Sequence, residues 1–161
     1  MISFRNIDLS RDTETIIKFR RDSYSISFGD ESLYGDNYSY LKKINDRLIK
    51  FPGGLVIVEL DYKQIGQVEL QIKQIDNKEI GYVNLFYLIS EYRGKGYGGK
   101  LIEFAERFFR EYGVNEYQLR VSPTNKRAIN FYEKNGFDVL GIEEEDTVPR
   151  FRMHKLVSTS S

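Results

Sequence analysis

The chain is predicted to fold as an α+β domain around a mixed β-sheet. Three strand candidates, Leu55 to Leu60, Ile65 to Ile72 and Glu79 to Ile89, follow one another with short turns between them, which indicates an antiparallel meander. A helix from Leu101 to Tyr112 and a strand from Tyr117 to Val121 come next. A strand, a helix and a second strand in this order favour a parallel pair, so the sheet is expected to be mixed.

The N-terminal third has less regular patterns. Phe4 to Ile7 is a candidate first strand, and Asp12 to about Arg21 has the apolar spacing of a helix. Tyr38 to about Lys50 repeats that spacing. The polar, tyrosine-rich segment Ser23 to Tyr40 is broken by glycines and is predicted to be a loop or short helical turns.

The C-terminal part returns to regular elements. A helix is predicted from Lys126 to about Lys134, followed by strands at Phe137 to Leu140 and Phe151 to Leu156. No shift in composition marks a linker, so residues 1–157 are expected to form one domain and residues 158–161 a disordered tail.

Composition excludes several classes of protein. The 24 Lys and Arg residues balance 24 Asp and Glu residues, so no nucleic-acid partner is expected. No stretch reaches the roughly 18 apolar residues of a membrane span, and Met1 to Arg5 does not open a signal peptide. The absence of cysteine and the single histidine, His154, argue against a serine triad and a metal site. A cytoplasmic protein without membrane contact or bound metal is expected.

The most informative segment is the glycine-rich turn between the third meander strand and the helix after it. Its residues are Arg93, Gly94, Lys95, Gly96, Tyr97, Gly98, Gly99 and Lys100. Glycines let a backbone approach phosphates closely, and the free N–H groups of a helix N-terminus attract an anion. The segment therefore predicts a pyrophosphate site, and the alternative is an ordinary glycine turn with solvated basic residues.

A dinucleotide site is one candidate for this turn. Gly94, Gly96 and Gly99 match the G-x-G-x-x-G fingerprint. That motif needs an acidic residue at the end of the next strand to bind a ribose, and Leu119 to Ser122 contains none. An NAD-binding oxidoreductase is therefore disfavoured.

A second pattern fits the same turn better. Arg93, Gly96 and Gly98 form Arg-x-x-Gly-x-Gly, and Asn125 to Phe137 has the pattern N-x-x-A-x-x-F-Y-x-x-x-G-F. These motifs, in this order, resemble the GNAT N-acetyltransferase family over about Glu79 to Leu156. The resemblance implies a GNAT-like fold with splayed central strands, acetyl-CoA as the cosubstrate, and direct transfer of an acetyl group to an amine.

The resemblance also implies where acetyl-CoA lies. The implied contacts are the backbone of Phe86, Tyr87, Leu88 and Ile89, the turn Arg93 to Lys100, and the helix residues Asn125, Ala128 and Tyr132. The Phe86 N–H is the implied donor to the thioester carbonyl, a role commonly worth about 3 kcal/mol in the transition state. Asn125 has the alternative role of capping its helix.

Tyr132 matches the tyrosine that the family places near the sulfur of the leaving group. Its alternative role is core packing beside Phe131. A free tyrosine titrates near ~10 and a thiol near ~8.5, so proton transfer from Tyr132 to the thiolate is uphill by roughly 2 kcal/mol. The predicted role is therefore a hydrogen bond to the developing thiolate.

The identity of a general base is less well marked. An alkyl amine with a pKa of about 10 is an ammonium at neutral pH and must lose a proton before it attacks. Where many family members have a glutamate on the fourth strand, this chain has Tyr82. Glu69 and Glu79 are the substitutes. If Val68 and Leu70 face one side of their strand, Glu69 faces the other, and it is predicted to act directly or through water. A remote base, or none, is the alternative.

Two acidic segments indicate a cationic acceptor. Asp22 to Tyr40 has four acidic residues and no lysine or arginine, and Glu143 to Asp146 is an acidic run expected on a loop. If both border the cleft, they attract a polyamine, an aminoglycoside or a peptide amine; otherwise they are solvated surface. The alternative to an enzyme is a non-catalytic acyl-CoA-binding or sensing module on the same fold. The resemblance also allows a homodimer, for which no interface is indicated.

Overall fold

The structure is a computed structural model that describes residues 1–145 and 148–158. The helices are α1 (Leu9–Phe28), α2 (Asn37–Lys50), α3 (Tyr97–Glu111) and α4 (Lys126–Lys134). The strands are β1 (Ile2–Asn6), β2 (Leu55–Leu60), β3 (Lys63–Ile75), β4 (Lys78–Leu88), β5 (Glu116–Val121), β6 (Asp138–Glu145) and β7 (Val148–Leu156). Short 3₁₀ helices lie at Glu31–Tyr34 and Ser90–Tyr92.

The seven strands form one mixed sheet in the order β1-β2-β3-β4-β5-β7-β6. β4 and β5 run parallel with α3 between them along the chain, and the other described neighbours run antiparallel. The predicted meander and the predicted parallel strand–helix–strand unit are both confirmed.

A β-bulge at Asn84 separates the two halves of the sheet. Two consecutive residues of β3 pair with Val83 and Leu85 of β4, which leaves Asn84 as an extra residue. The pairing of β4 with β5 ends at Val83, although β4 continues to Leu88. The predicted splay of the central strands is confirmed, and the bulge accounts for it, since an extra residue bends the strand that carries it.

Helices cover both faces of the sheet. Leu55 and Ile57 of β2 belong to the core beneath α1 and α2, whereas Val56 and Val58 belong to the larger core beneath α3 and α4. This alternation follows from the two-residue period of a strand. The split between β4 and β5 therefore connects the α3–α4 face with the α1–α2 face.

The segment Ser23 to Tyr40 is more helical than predicted. α1 continues to Phe28 and ends at Gly29, which has a φ of +70°. Asp30 caps the 3₁₀ helix and Asp36 caps α2, because each carboxylate accepts a hydrogen bond from a backbone N–H in the first turn. The loop alternative was wrong because these residues end and begin helices, and the alternative of short helical turns is confirmed at Glu31–Tyr34.

The C-terminal strands are also longer than predicted, and the acidic run is not on a loop. Glu143 to Glu145 are the last residues of β6, and Asp146 lies outside the described residues. Of the predicted tail, Ser158 donates its N–H to Glu106, and residues 159–161 lie outside the described part. In the described ranges, no helix has the length and apolar character needed to cross a membrane.

Glu106 ties the C-terminus to α3. Its buried carboxylate accepts hydrogen bonds from the Lys155 ammonium at 2.7 Å, the Tyr117 hydroxyl at 2.6 Å and the Ser158 N–H at 2.7 Å. Because Glu106→Gln leaves the Lys155 charge without its partner, we expect the free energy of unfolding to fall by about 3 kcal/mol at neutral pH. Urea unfolding measures this loss.

The pH dependence of that loss has a defined sign. Burial raises the pKa of Glu106, but its hydrogen bonds outweigh burial and lower the pKa overall. The stabilisation is therefore fully present above the ordinary pKa of 4.5 and is lost as the pH falls through the lowered pKa of the folded protein. The free energies of unfolding of the wild type and the variant should therefore become equal in acid. Glu103→Gln is the control, because Glu103 is exposed and its loss should cost at most about 0.5 kcal/mol. Equal losses in both variants would contradict the prediction.

Candidate active site

The glycine turn forms an open cradle at the N-terminus of α3. Gly96, the cap residue, has a φ of +90° and supplies no side-chain cap to the first helical N–H groups. A Cβ at Gly96 or Gly99 would meet no described atom within 4 Å, so both positions border open space. A Cβ at Gly98 would instead come within 2.6 Å of the Phe131 ring, so glycine there lets α3 and α4 approach. Uncapped donors beside open space fit a bound pyrophosphate.

The arginine of the turn holds the loop in place. Arg93 Nε donates to the Leu88 carbonyl at 2.7 Å, and a terminal nitrogen of Arg93 donates to Asp22 at 3.3 Å. Asp22 also accepts a short hydrogen bond from the Tyr87 hydroxyl. Arg93 therefore fixes the turn to β4 and α1, while the backbone N–H groups border the cradle.

Beyond the bulge, β4 presents backbone groups to the split. The Ile89 N–H donates to the Ile65 carbonyl of β3 at 2.8 Å. Successive residues of a strand direct their N–H groups to opposite sides, so those of Leu88 and Phe86 point away from β3, toward the space that β5 has left. The side chains of Tyr87 and Ile89 lie on the α1 side. A strand edge of this kind can pair with an extended ligand.

α4 forms the wall opposite β4. Asn125 caps α4 by accepting a hydrogen bond from the Ala128 N–H at 3.2 Å. Asn125, Ala128 and Tyr132 line a cleft at the split between β4 and β5, together with Phe86. The Tyr132 ring centroid lies 6.5 Å from that of Phe86. The fold thus brings these four sequence-predicted residues together.

The environment of Tyr132 keeps its hydroxyl protonated. Burial raises the pKa of Tyr132 above its ordinary value of 10. The hydroxyl can therefore donate a hydrogen bond across the neutral range, and it is not suited to act as a base.

The split opens into a cleft of about 400 Å³ between α1, α4 and the diverging strands. The lining beyond Phe86 and Tyr132 includes Arg20, Tyr24, Tyr82, Asn84, Arg120 and Arg150. These polar residues come from α1, β4, β5 and β7 and meet because β4 and β5 separate. Sequence reasoning missed Arg20, Asn84, Arg120 and Arg150 as site residues, since no local motif marks them.

Glu69 does not line this cleft. Its carboxylate is buried, accepts hydrogen bonds from the Tyr40 hydroxyl at 2.6 Å and the Gln67 amide at 2.9 Å, and lies 3.5 Å from Arg47. Direct contact between Glu69 and an amine in the cleft would require a rearrangement, so any role as a base would use a relay. That role stays a prediction.

The other residues considered for catalysis have clear positions. Val68 and Leu70 face the core opposite to Glu69, so the predicted alternation of β3 is confirmed. Glu79 is exposed near the start of β4. Tyr82, at the position expected of a glutamate, accepts a hydrogen bond from Arg120 Nε at 2.7 Å. Across residues 1–145 and 148–158, no group of three or more His, Asp or Glu side chains could hold a metal ion.

The acidic side chains predicted to attract a cation are engaged elsewhere. Asp30 and Asp36 cap helices, and hydrogen bonds from serines lower the pKa of each. Glu31 and Glu143 pair with arginines at 3.1 and 3.4 Å, and Asp22 binds Tyr87. The described lining of the cleft contains arginines but no carboxylate. The premise that acidic loops face the cleft is therefore not met.

The site combines an anion cradle, a free strand edge and a cleft bordered by Tyr132. This combination is the one expected of an acyl-CoA-dependent transferase. The sequence profile of the acetyltransferase (GNAT) family matches residues 14–137. Spermidine N(1)-acetyltransferase of Thermoplasma acidophilum is 30% identical to this chain over 158 residues, which cover 91% of this chain and 94% of that protein. The chain therefore belongs to the GNAT acetyltransferase family.

Solved structures agree in fold. PaiA N-acetyltransferase from Thermoplasma acidophilum, in complex with coenzyme A, matches with a TM-score of 0.75 at 26% identity, covering 97% of this chain and 99% of that one. Ribosomal-protein-alanine N-acetyltransferase from Brucella melitensis matches with a TM-score of 0.74 at 16% identity, covering 96% and 99%. The predicted GNAT-like fold is confirmed, and the protein is an acetyltransferase that uses acetyl-CoA as its cosubstrate.

Proposed function

We propose that this protein transfers the acetyl group of acetyl-CoA directly to a primary amine that enters the cleft from the α1–α2 face. The split between β4 and β5 carries the proposal. It connects the cradle on the α3–α4 side with the cleft, and Phe86 and Tyr132 border the passage between them. A thioester at this point would be accessible to an amine from the opposite face.

The cosubstrate would be held mainly by backbone groups. The turn from Arg93 to Lys100 would bind the pyrophosphate, and the N–H groups of Phe86 and Leu88 would pair with the pantetheine arm. Asn125 and Ala128 would border that arm. When bound, acetyl-CoA supplies an activated acetyl group and a thiolate leaving group. The Phe86 N–H would then stabilise the charge that develops on the carbonyl oxygen, a contribution of about 3 kcal/mol.

Tyr132 would donate a hydrogen bond to the sulfur as it leaves. Because the pKa of Tyr132 is raised, complete transfer of its proton is even less favourable than in water. Glu69 would act as a base only through Tyr40 or water. The arginines of the cleft lower the pKa of a nearby ammonium, which favours the neutral amine without an adjacent carboxylate.

The acceptor in this proposal is a small-molecule or peptide amine. A polyamine is one candidate, supported by the similarity to a spermidine N(1)-acetyltransferase. An aminoglycoside and a basic peptide N-terminus are the other acceptors expected from the sequence. The positive lining of the cleft disfavours an acceptor with several positive charges.

An amine panel tests the proposed transfer. We expect wild-type protein with acetyl-CoA to release free CoA in an amine-dependent manner for at least one of spermidine, an aminoglycoside, amino acids or short peptides. Thiol release gives the rate, and mass spectrometry identifies the acetylated amine. Acetyl-CoA binding without amine-dependent release across the panel would contradict the proposal and support a non-catalytic acyl-CoA-binding module.

A further inference from the structure

The cleft has an unusual balance of charge. Arg20 of α1, Arg120 of β5 and Arg150 of β7 line it, and its described lining has no aspartate or glutamate. Like charges repel strongly in a partly desolvated space. Two of these guanidinium groups, those of Arg20 and Arg150, come from separate elements and indicate a site that an anion can complete.

Arg20 and Arg150 lie over a pair of aromatic rings. The Arg20 guanidinium lies 4.8 Å from the Tyr24 ring centroid, and the Arg150 guanidinium lies 5.2 Å from the Phe28 ring centroid. These two rings are 6.1 Å apart on consecutive turns of α1. Stacking orients a guanidinium plane and leaves its N–H groups available at the edge.

Arg120 extends the positive charge to Tyr82. Its Nε donates to the Tyr82 hydroxyl at 2.7 Å. Burial and the charge of Glu143 raise the pKa of Tyr82, while Arg120 and Arg150 lower it. Both arginines are therefore close enough to Tyr82 to act on the same point of the cleft wall.

The carboxylates near these arginines are shared with others. Glu143 lies 3.4 Å from Arg120 but is closer to Arg152, at 2.8 Å. Glu69 forms its ion pair with Arg47, at 3.5 Å, and its charge also acts on Arg20. Among the described residues, no carboxylate lies within ion-pair distance of Arg20 or Arg150, so their guanidinium groups can bind an anionic ligand.

We propose that the amine acceptor carries a carboxylate and that Arg20 and Arg150 bind it. This inference rests on the proposed function, because the acceptor occupies the same cleft. A guanidinium fork matches a carboxylate with two parallel hydrogen bonds. A volume of about 400 Å³ suits a small amine of amino-acid size. A polyamine would meet repulsion in the same place.

The test compares matched amines. The probes are α-, β- and γ-amino acids, each paired with its amide, together with spermidine. We expect at least one acid to exceed its amide by about tenfold or more in kcat/KM. Arg20→Gln and Arg150→Gln should each reduce that preference. Arg107→Gln, which removes an exposed charge on α3 away from the cleft, should leave it unchanged.

A binding measurement tests this inference independently of the proposed function. Calorimetric titration of CoA-saturated protein with the same acids and amides reports the preference even if no amine is acetylated. Tighter binding of an acid that Arg20→Gln or Arg150→Gln weakens supports the inference without turnover. Amides or spermidine that bind and react as well as every acid would overturn it, as would arginine variants that weaken acids and amides equally.

Discussion

Replacing Tyr132 with phenylalanine is expected to lower kcat about 100-fold and leave acetyl-CoA binding nearly unchanged. The ring would keep its contacts with Phe131 and Phe137, at centroid distances of 5.5 and 5.3 Å. The hydroxyl alone is lost, and its proposed hydrogen bond strengthens only as charge develops on the sulfur. The variant should therefore affect the transition state more than the bound ground state. Steady-state CoA release and calorimetry measure the two quantities.

Tyr112→Phe is the matched control for this experiment. Tyr112 lies at the far end of α3, with its ring 4.6 Å from that of Phe108, so loss of its hydroxyl should leave kcat unchanged. A Tyr132→Phe variant with the wild-type kcat would show that the hydroxyl does not assist the leaving group. A large loss of acetyl-CoA affinity with normal turnover would instead indicate a packing role.

A carboxylate introduced at Gly99 is expected to weaken acetyl-CoA binding about 100-fold. Gly99 lies in the first turn of α3, and a Cβ there meets no described atom within 4 Å, so the fold accommodates a side chain. An acidic residue in the first turn also favours the helix. Gly99→Asp should therefore fold normally while its charge repels the pyrophosphate. Calorimetric titration with acetyl-CoA measures the change.

Gly99→Asn separates charge from shape. Asparagine has nearly the shape of aspartate without its charge, so we expect a loss of about tenfold or less. Thermal unfolding should show both variants to be folded. Equal losses would show that the side chain blocks the cradle by volume alone, and unchanged binding in both would place the pyrophosphate elsewhere.

The central sheet was predictable because its signals are local. Apolar runs separated by two-residue turns mark β2, β3 and β4, and the turn residues Asp61, Tyr62, Asp76 and Asn77 have the positive φ values typical of tight hairpins. α1 was predicted too short because polar and aromatic residues after Arg21 obscure its period. The sequence contains the Gly29 that ends α1, but a glycine among polar residues is also typical of a loop.

The two halves of the site differ in how far sequence can predict them. The cradle and the α4 wall are contiguous motifs, so Gly96, Asn125 and Tyr132 could be identified from spacing and resemblance. The arginines of the cleft are distant in sequence, and they meet because one extra residue, Asn84, separates β4 from β5. A bulge leaves no reliable local signal in a single sequence.

The charge of the cleft also could not be predicted from the sequence. The sequence shows the acidic residues of the segment from Asp22 to Tyr40, but their partners depend on tertiary structure. Asp30 and Asp36 cap helices, a role that a charge count does not reveal. A charge count predicts a field only when the side chains face the site, and here the arginines do so instead.

Two-substrate kinetics test whether the acetyl group passes directly from acetyl-CoA to the amine within one cleft. With acetyl-CoA and the best amine of the panel both varied, we expect intersecting lines in double-reciprocal plots, because both substrates must be bound together before the acetyl group moves. Mass spectrometry of the protein after incubation with acetyl-CoA alone should show no acetylated protein that can pass its acetyl group to the amine. Parallel lines, together with an acetylated protein that passes its acetyl group to the amine, would contradict direct transfer and indicate a covalent acetyl-enzyme.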